Sequence, residues 1–269
     1  MVLVSFAMSR ASRTPLSVTL SVWRALFLRE MVARLGVSRA AWLWLLAEPV
    51  VHILFILVLF TVVRMRVVPG ADVAVWLMVG IAGFFTARNV FQRSTEAINA
   101  NSALFAYRQV LPVDTVIVRA AVEVFIGLAV AALLMVGLGL GGHDVIPHDP
   151  LTALLALMGL CLCGLGLGFV LAVVRELAPE LGKVLGLLFT PLYFISGVLF
   201  PVLLVPAPYR ETFFYNPFAH GLELIRGGFF PLYHVAPEAS LAYLYGFALV
   251  TVFIGLLVQV RYAVQLRAQ

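Results

Sequence analysis

Two acidic residues inside long apolar runs are the first candidates for chemistry: Glu48 and Glu123. An ionisable group in a membrane helix is costly unless it is paired, so it indicates either a proton or substrate site or a structural ion pair. His52 follows Glu48 by one turn and can share its face, so both are candidate channel or substrate residues. The structural alternative has Glu48 buried and paired with an arginine near the cytoplasmic surface. Glu123 follows Arg119 by four residues, a spacing that favours a local ion pair.

Two further signals for chemistry are weak. His143-Asp144 and His148-Asp149 carry metal-ligand side chains, but prolines interrupt this short segment and its spacing matches no metal signature, so we interpret it as a solvated turn. The chain has one Gly-Lys pair, Gly182-Lys183, and valine follows it, so the phosphate-binding loop is missing. We therefore predict no catalytic, cofactor or metal site, and expect ATP and Mg²⁺ to bind a separate protein.

The elements that position these residues are membrane helices. The 269 residues are 63% hydrophobic and only 12% charged, with a mean hydropathy of +1.06, whereas about a quarter of a soluble domain is charged. Apolar runs of about 20 residues are long enough to cross a bilayer as helices, and they lack the short alternating strands of a membrane barrel. The composition predicts an all-α integral membrane protein. The first residues lead into an arginine-rich segment without a cleavage site, so we expect no cleaved signal peptide.

Hydropathy predicts six transmembrane helices. Five regular runs cover residues 41–63, 73–91, 116–140, 151–174 and 243–262, and a less regular one covers 184–205. Ahead of them, Thr14-Pro15 is typical of a helix start. An apolar stripe then predicts an amphipathic interfacial helix, with Leu16, Leu20, Trp23, Phe27 and Met31 on one face. Glu30 and Arg34 fall on the same stripe, which predicts a bend or an end there. We thus divide the chain into an interfacial arm, 1–40, and a six-span domain, 41–269.

The basic residues orient the spans. Fourteen of the 18 lysines and arginines lie in the N-terminal arm, after the second and fourth spans, or in the C-terminal tail. The positive-inside rule then places both termini and segment 93–114 in the cytoplasm. Segment 93–114 is amphipathic and helix-like, and is the longest polar stretch in mid-chain. Our hypothesis is that a separate ATP-hydrolysing protein contacts this segment and moves it.

Aromatic residues are a weaker lead. Phe84 and Phe85 in the second span, and Tyr193 and Phe194 in the irregular span, are candidates to line a passage along which sugar rings slide. Helix packing alone is the alternative explanation.

The region between the fifth and sixth spans is too polar to cross the membrane and too aromatic to leave it. Asn216-Pro217 is typical of a helix start and Gly227-Gly228 of a helix end. We predict short re-entrant or interfacial helices on the outer side, because irregular backbone at membrane depth must be buried in protein. A long extracellular loop is the alternative.

Three stretches together resemble the polysaccharide-export ABC-transporter permeases. The first runs from Arg29 through Trp42 and Glu48-Pro49 to His52, the second from Arg93 through Asn101 to Asp114, and the third from Pro191 through Phe200-Pro201 and Tyr215-Asn216-Pro217 to Arg226. The second stretch looks like the cytoplasmic loop of the capsular-polysaccharide members. The resemblance covers nearly the whole chain from about Ala25, and Tyr215 stands where the family would have tryptophan.

The resemblance implies the transmembrane subunit of an ATP-driven exporter that moves a long, anionic, lipid-linked capsular polysaccharide across the bacterial inner membrane. Two copies of the permease would form the channel, and two separate ATPase subunits would drive it. A periplasmic adaptor and an outer-membrane polysaccharide channel would continue the path. Membrane lipids would surround the permease, and no nucleic-acid partner is expected.

The resemblance also implies roles for particular residues. Residues 96–108 would be the coupling helix, seated in a groove of the ATPase, with Leu111-Pro112 as a hinge to the third span. The coupling residues would be Glu96, Asn99, Asn101, Tyr107 and Arg108. The periplasmic re-entrant region would include Tyr215, Asn216, Glu223 and Arg226.

Other functions fit the sequence less closely. The substrate of such a permease could instead be another lipid-linked glycan, such as O-antigen or teichoic acid, or a small lipid or drug. An ion-coupled secondary transporter would use Glu48 and Glu123 as proton sites, but we find no inverted repeat. A membrane-embedded transferase would need a cluster of acids or histidines that the spans lack.

Overall fold

The computed structural model describes residues 14–36, 41–62, 68, 70–107, 109–187 and 189–267. All the regular structure in these residues is helical. The α-helices are α1 (Pro15–Leu35), α2 (Ala41–Val62), α3 (Val73–Thr95), α4 (Pro112–Leu140), α5 (Pro150–Leu177), α6 (Pro179–Leu187), α7 (Phe189–Ile195), α8 (Ala207–Phe213), α9 (Pro217–Phe229), α10 (Leu241–Arg261) and α11 (Ala263–Arg267). Two 3₁₀ helices cover Asn99–Ala106 and Val202–Leu204.

Four of these helices, α3, α4, α5 and α10, are long and apolar enough to cross a membrane. A fifth, α2, contains a shorter apolar stretch, Ala47–Phe60. In the predicted irregular span, α7 ends at Ile195, and Gly197 then turns the chain with a φ of 72°. The all-helical prediction is confirmed, and the four long helices agree with four of the predicted spans.

Helix α5 lies at the centre of the bundle, between α3, α9 and α10. It approaches its neighbours closely because glycines line its faces: a methyl group on Gly164 would lie 2.5 Å from the Ala87 carbonyl oxygen of α3. A methyl group on Gly168 would likewise collide with the Ser94 side chain of α3. Gly164 and Gly168, four residues apart, thus form the close helix contact that small residues allow in membrane helices.

Substituting Gly164 should therefore loosen the bundle. We expect Gly164→Val to destabilise the fold by about 1–3 kcal/mol, because the added side chain would collide with the backbone of α3. The matched control is Gly137→Val in α4, where an added Cβ would meet nothing within 4 Å. Thermal unfolding in detergent measures both variants, and equal melting temperatures would refute this account of the α3–α5 contact.

Local signals locate the helix starts correctly. Thr14 caps α1 by accepting a hydrogen bond from the Ser17 N–H at 3.4 Å, and Asn216 caps α9 by accepting one from Phe218 at 3.0 Å. The predicted end of α1 near Arg34, before Gly36, is confirmed, since α1 ends at Leu35 and Gly36 is its C-cap. Glu30 and Arg34 lie on the apolar stripe because both side chains pair with residues of α4, as described below.

The polar segment 93–114 folds differently from the prediction of one helix-like stretch. Arg93 belongs to the last turn of α3, which ends at Thr95. A turn and the 3₁₀ helix Asn99–Ala106 follow, and α4 then begins at Pro112. The Asp114 carboxylate accepts a hydrogen bond from the Leu111 N–H at 3.0 Å, which fixes this start. We refer to residues 96–107 as the coupling segment.

Candidate functional site

A cavity of about 1120 Å³ lies beside the coupling segment, between α1, α2, α3, α4 and the α5–α6 elbow. Its wall is unusually rich in charge for a membrane protein. The arginines that line it are Arg34, Arg88, Arg93, Arg119 and Arg175, and the glutamates are Glu30, Glu48 and Glu96. We call it the arginine-lined cavity. Ionisable residues at membrane depth face the interior of a bundle or a water-filled space, so this cavity is the candidate functional site.

The most buried charges at the cavity form three ion pairs between α1, α3 and α4. Glu123, whose side chain is only 3% exposed, accepts from Arg34 Nε at 3.0 Å and lies 3.6 Å from Arg93 Nε. Glu30 of α1 accepts from Arg119 Nε at 2.8 Å, and both side chains are nearly buried. These pairs hold α1 against the bundle.

Two further ion pairs lie in more exposed parts of the cavity. Arg88 donates to Glu48 at 2.6 Å, and its guanidinium carbon lies 4.2 Å from the centre of the Phe85 ring. Arg175 at the end of α5 donates to Glu96 at 3.4 Å. The side chains of Glu48 and Glu96 are 58% and 44% exposed, so they are held far less firmly than Glu123.

The pairings expected from sequence spacing are only partly correct. Glu123 pairs with Arg34 and Arg93, and the expected i,i+4 partner Arg119 turns instead to Glu30. The expectation that an arginine pairs with Glu48 is confirmed, but the expected burial of Glu48 is wrong because its carboxylate faces the cavity.

The coupling segment is joined to α1 as well as to the bundle. The Asn101 side chain is buried, donates to the Ala97 carbonyl at 2.7 Å and accepts a hydrogen bond from Arg29 of α1. Asn99 and Tyr107 are exposed and face away from the core. Arg108 lies outside the described residues. The segment therefore presents one exposed face to solvent while its other face is anchored.

Sequence reasoning missed the contribution of α1 to this anchoring. The Trp23 indole donates to the Asp114 carboxylate at 2.7 Å, so α1 also reaches the start of α4. Phe27 makes an edge-to-face contact with Phe125 of α4, at 6.2 Å between ring centres. These contacts could have been predicted from the two charged residues on the apolar stripe, Glu30 and Arg34. Charges at these positions indicate that this face of α1 packs against protein and not against lipid alone.

A second polar cluster lies at the other end of α3, under α9. Arg226 is fully buried, stacks on Trp76 at 3.5 Å, and donates to the carbonyls of Gly197 and Val198 at 2.7 and 2.6 Å. Gly80 leaves the space that the guanidinium fills.

The other predicted residues of this region have separate tasks. Glu223 is fully buried and accepts hydrogen bonds from the Tyr233 hydroxyl at 3.0 Å and from the Ala236 N–H at 3.2 Å. Asn216 caps α9, whereas the Tyr215 side chain is exposed. The predicted short helix is thus present, and its polar residues dock it onto the bundle.

The sequence profile of ABC-2 type transporters matches residues 21–230, which is most of the chain and includes both polar clusters. The chain belongs to the ABC-2 type transporter family. The permease is a non-catalytic membrane component, and a permease of this family works with an ATPase partner.

Individual relatives agree with this assignment. The permease is 40% identical over 232 residues to the polysialic acid transport protein KpsM of Escherichia coli, covering 86% of this chain and 90% of the relative. It is 30% identical over 211 residues to the capsule polysaccharide export inner-membrane protein BexB of Haemophilus influenzae, covering 78% and 79%. It is 28% identical over 206 residues to CtrC of Neisseria meningitidis serogroup A, which has the same description, covering 77% and 78%. The permease is an inner-membrane protein.

The candidate channel aromatics of the permease pack mainly against each other. Phe84, Phe85 and Tyr193 are each less than a tenth exposed, and Phe84 lies 5.3 Å from Tyr193 between ring centres. His52 hydrogen-bonds the Tyr193 hydroxyl at 2.5 Å and so joins α2 to α7. Phe194 is 55% exposed. Within one permease chain these rings join helices, and their role in a channel stays a prediction.

The histidines and aspartates between α4 and α5 contribute to helix ends. His143 pairs with Asp72, the cap of α3, at 2.8 Å, and Asp149 caps α5 through the Thr152 N–H at 3.1 Å. Partial burial raises the pKa of Asp72, but the hydrogen bonds from His143 and from the backbone lower it more, so it lies below its ordinary value. Among the described residues, no group of three or more His, Cys, Asp or Glu side chains could hold a metal ion.

Proposed function

We propose that this permease is the transmembrane subunit of an ATP-driven exporter that moves a lipid-linked, anionic capsular polysaccharide across the bacterial inner membrane. Two relatives are named for capsule polysaccharide export and one for polysialic acid transport. The match to KpsM extends over 90% of that protein, so the likeness covers a whole permease rather than a shared fragment.

The observation that carries the proposal is the arginine-lined cavity beside the coupling segment. Arginine is suited to carboxylate and phosphate groups, because its planar fork donates two parallel hydrogen bonds. A lipid-linked acidic glycan offers both groups, on its sugars and on its anchor. The cavity is therefore the place where the anionic part of the substrate first meets the permease.

The coupling segment supports the ATP-driven part of the proposal. Its anchored face reaches the cavity through Glu96 and α1 through Asn101, and its exposed face carries Asn99 and Tyr107. A push on the exposed face would therefore reach α1, α3 and α5 together, which is a rigid-body route from an ATPase to the cavity. ATP and Mg²⁺ would bind the ATPase subunits and not this chain.

The proposed topology has six spans with both termini in the cytoplasm. The four long helices supply four of them, and α2 and the region of α6 and α7 would supply the others. In this arrangement residues 1–40 form the interfacial arm, residues 41–269 form the permease domain, and α9 is re-entrant from the periplasmic side.

The proposed assembly holds two copies of the permease and two ATPase subunits. A periplasmic adaptor and an outer-membrane channel would carry the polymer onward. The ion-coupled alternative loses its basis, because Glu48 and Glu123 are each paired with arginine and the chain belongs to an ATP-driven family.

Removing two cavity arginines should reduce export. In a capsulated strain that depends on this permease, we expect Arg88→Gln with Arg175→Gln to lower surface polysaccharide at least about tenfold, because each lost charged hydrogen bond is worth about 1.5–3 kcal/mol. Surface polysaccharide is measured by immunofluorescence, and association with the ATPase by co-purification.

The matched control is Arg261→Gln, which removes an exposed arginine of α10 that does not line the cavity. Wild-type export by the double variant, at equal membrane levels and with the ATPase still attached, would contradict the proposed site.

A further inference from the structure

Every arginine of the arginine-lined cavity already faces a carboxylate of the same chain. Five arginines pair with four glutamates. Arg34 and Arg93 share Glu123, and Arg93 also approaches Glu96. The remaining pairs are Arg88 with Glu48, Arg119 with Glu30 and Arg175 with Glu96. An anionic ligand therefore meets arginines that already have a counter-ion. It competes with the glutamate for the donors of that guanidinium and, where it binds more strongly, replaces the glutamate as the counter-ion.

The four glutamates differ in how easily they can be replaced. Glu123 and Glu30 are 3% and 13% exposed and lie between packed helices, so breaking their pairs would leave buried charges, which is strongly unfavourable. Glu48 and Glu96 are 58% and 44% exposed, and exposed pairs contribute little. Exchange is therefore expected at Arg88 and Arg175.

Of the two exposed glutamates, Glu48 and Glu96, only Glu96 belongs to the coupling segment. Its N–H bonds the Gln92 carbonyl at 3.2 Å and so ends α3, while its own carbonyl accepts from Ala100 at 3.1 Å. The Glu96 carboxylate lies near two cations. One is Arg93, one turn back in α3, at 3.9 Å, and the other is Arg175 of α5. The pair with Arg175 is therefore the one that connects this side chain to α5. Freeing this carboxylate would remove the charged contact between the coupling segment and α5, while Ala97, Ile98 and Phe105 stay packed against α5.

We propose that Glu96 is an internal counter-ion that an anionic group of the substrate displaces from Arg175, and that this exchange reports an occupied cavity to the ATPase. The inference rests on the proposed function, because it takes the ligand to be an acidic glycolipid and the coupling segment to contact the ATPase. Glu96 is then a positioning residue, acting through Arg175 and the coupling segment.

The test uses the intact permease–ATPase complex in lipid nanodiscs. The probe is a lipid phosphate that carries a short oligosialic acid chain. Two quantities are measured for each variant: the dissociation constant of the probe, and the ATPase rate with and without it. The wild-type complex should bind the probe and respond with a faster ATPase.

Two substitutions break the same ion pair from opposite sides. Glu96→Gln should bind the probe up to about fivefold more tightly, because one competing exposed pair is gone. Arg175→Gln should bind it more weakly. Both should raise the ATPase rate without probe toward the stimulated rate, and both should respond little to the probe.

Two controls distinguish the proposed exchange of counter-ions at Arg175, which we call the switch, from general effects of removing a carboxylate. Glu48→Gln also removes a counter-ion, but it lies on α2, so it should tighten probe binding while the probe still stimulates the ATPase. Glu238→Gln removes the carboxylate that pairs with Arg210 at 3.7 Å, away from the cavity, and should leave both quantities unchanged.

The outcomes distinguish the two levels of the proposal. If Glu96→Gln tightens binding yet keeps a normal probe response, the switch is refuted while the proposed function stands. If the wild-type complex does not bind the probe, or if Arg88→Gln and Arg175→Gln bind it as the wild type does, the cavity as the substrate site fails. The switch is supported when both Glu96→Gln and Arg175→Gln show the raised rate and Glu238→Gln does not.

Discussion

Glu123→Gln should be one of the most damaging single substitutions in this permease, with a loss of about 2–4 kcal/mol in the free energy of unfolding. Glu123 is almost fully buried and is the shared partner of Arg34 and Arg93. Removing one partner of a buried pair costs about 3–5 kcal/mol, and we expect somewhat less here because both arginines are partly exposed. Unfolding in mixed detergent micelles measures the loss.

A double-mutant cycle identifies the cause of that loss. Arg34→Gln removes one of the two positive charges that Glu123→Gln would leave facing each other. We therefore expect the double variant to be more stable than the sum of the single losses predicts, by about 1–3 kcal/mol. Additive losses, or a Glu123→Gln variant within about 0.5 kcal/mol of the wild type, would show that Glu123 does not join α1, α3 and α4.

Arg226→Met should destabilise the permease by about 3–5 kcal/mol, at the opposite end of α3. The substitution keeps most of the side-chain volume but removes the donors to Gly197 and Val198 and the stacking on Trp76. A charged hydrogen bond contributes about 1.5–3 kcal/mol, and a buried carbonyl without a donor adds a further penalty. Thermal unfolding in detergent, followed by tryptophan fluorescence, would report the loss.

A lysine at this position tests whether docking needs the planar guanidinium of Arg226 or only its positive charge. Arg226→Lys keeps the positive charge but cannot donate along two parallel directions, so it should recover less than half of the stability that Arg226→Met loses. Full recovery by lysine would mean that charge alone docks α9. Wild-type stability of Arg226→Met would refute the docking role.

Short-range signals in the sequence predicted the helices and their starts well. The caps of α1 and α9 follow from Thr14-Pro15 and Asn216-Pro217, because capping depends on residues only two or three positions apart. Hydropathy predicted the long helices, but it did not predict how deeply each of them is buried. Helix α3 is the least apolar of the four and also the most buried, because protein rather than lipid surrounds it.

The candidate site was harder to predict, because its partners are distant in sequence. Spacing alone pairs Glu123 with Arg119, four residues away, whereas the bundle brings Arg34 to Glu123 from 89 residues away. Glu48 could be expected to have an arginine partner, but nothing in the sequence identified Arg88. The cavity arises from the way five helical elements meet, and hydropathy contains no information about that arrangement.

The contacts of α1 have a consequence for protein engineering. Trp23, Glu30 and Arg34 of the N-terminal arm are matched to Asp114, Arg119 and Glu123 of α4. A chimaera that exchanges only residues 1–40 between two permeases would replace one half of each matched pair. Such chimaeras should work only when residues 112–123 of α4 are exchanged together with the arm, so the unit of exchange is discontinuous in the chain.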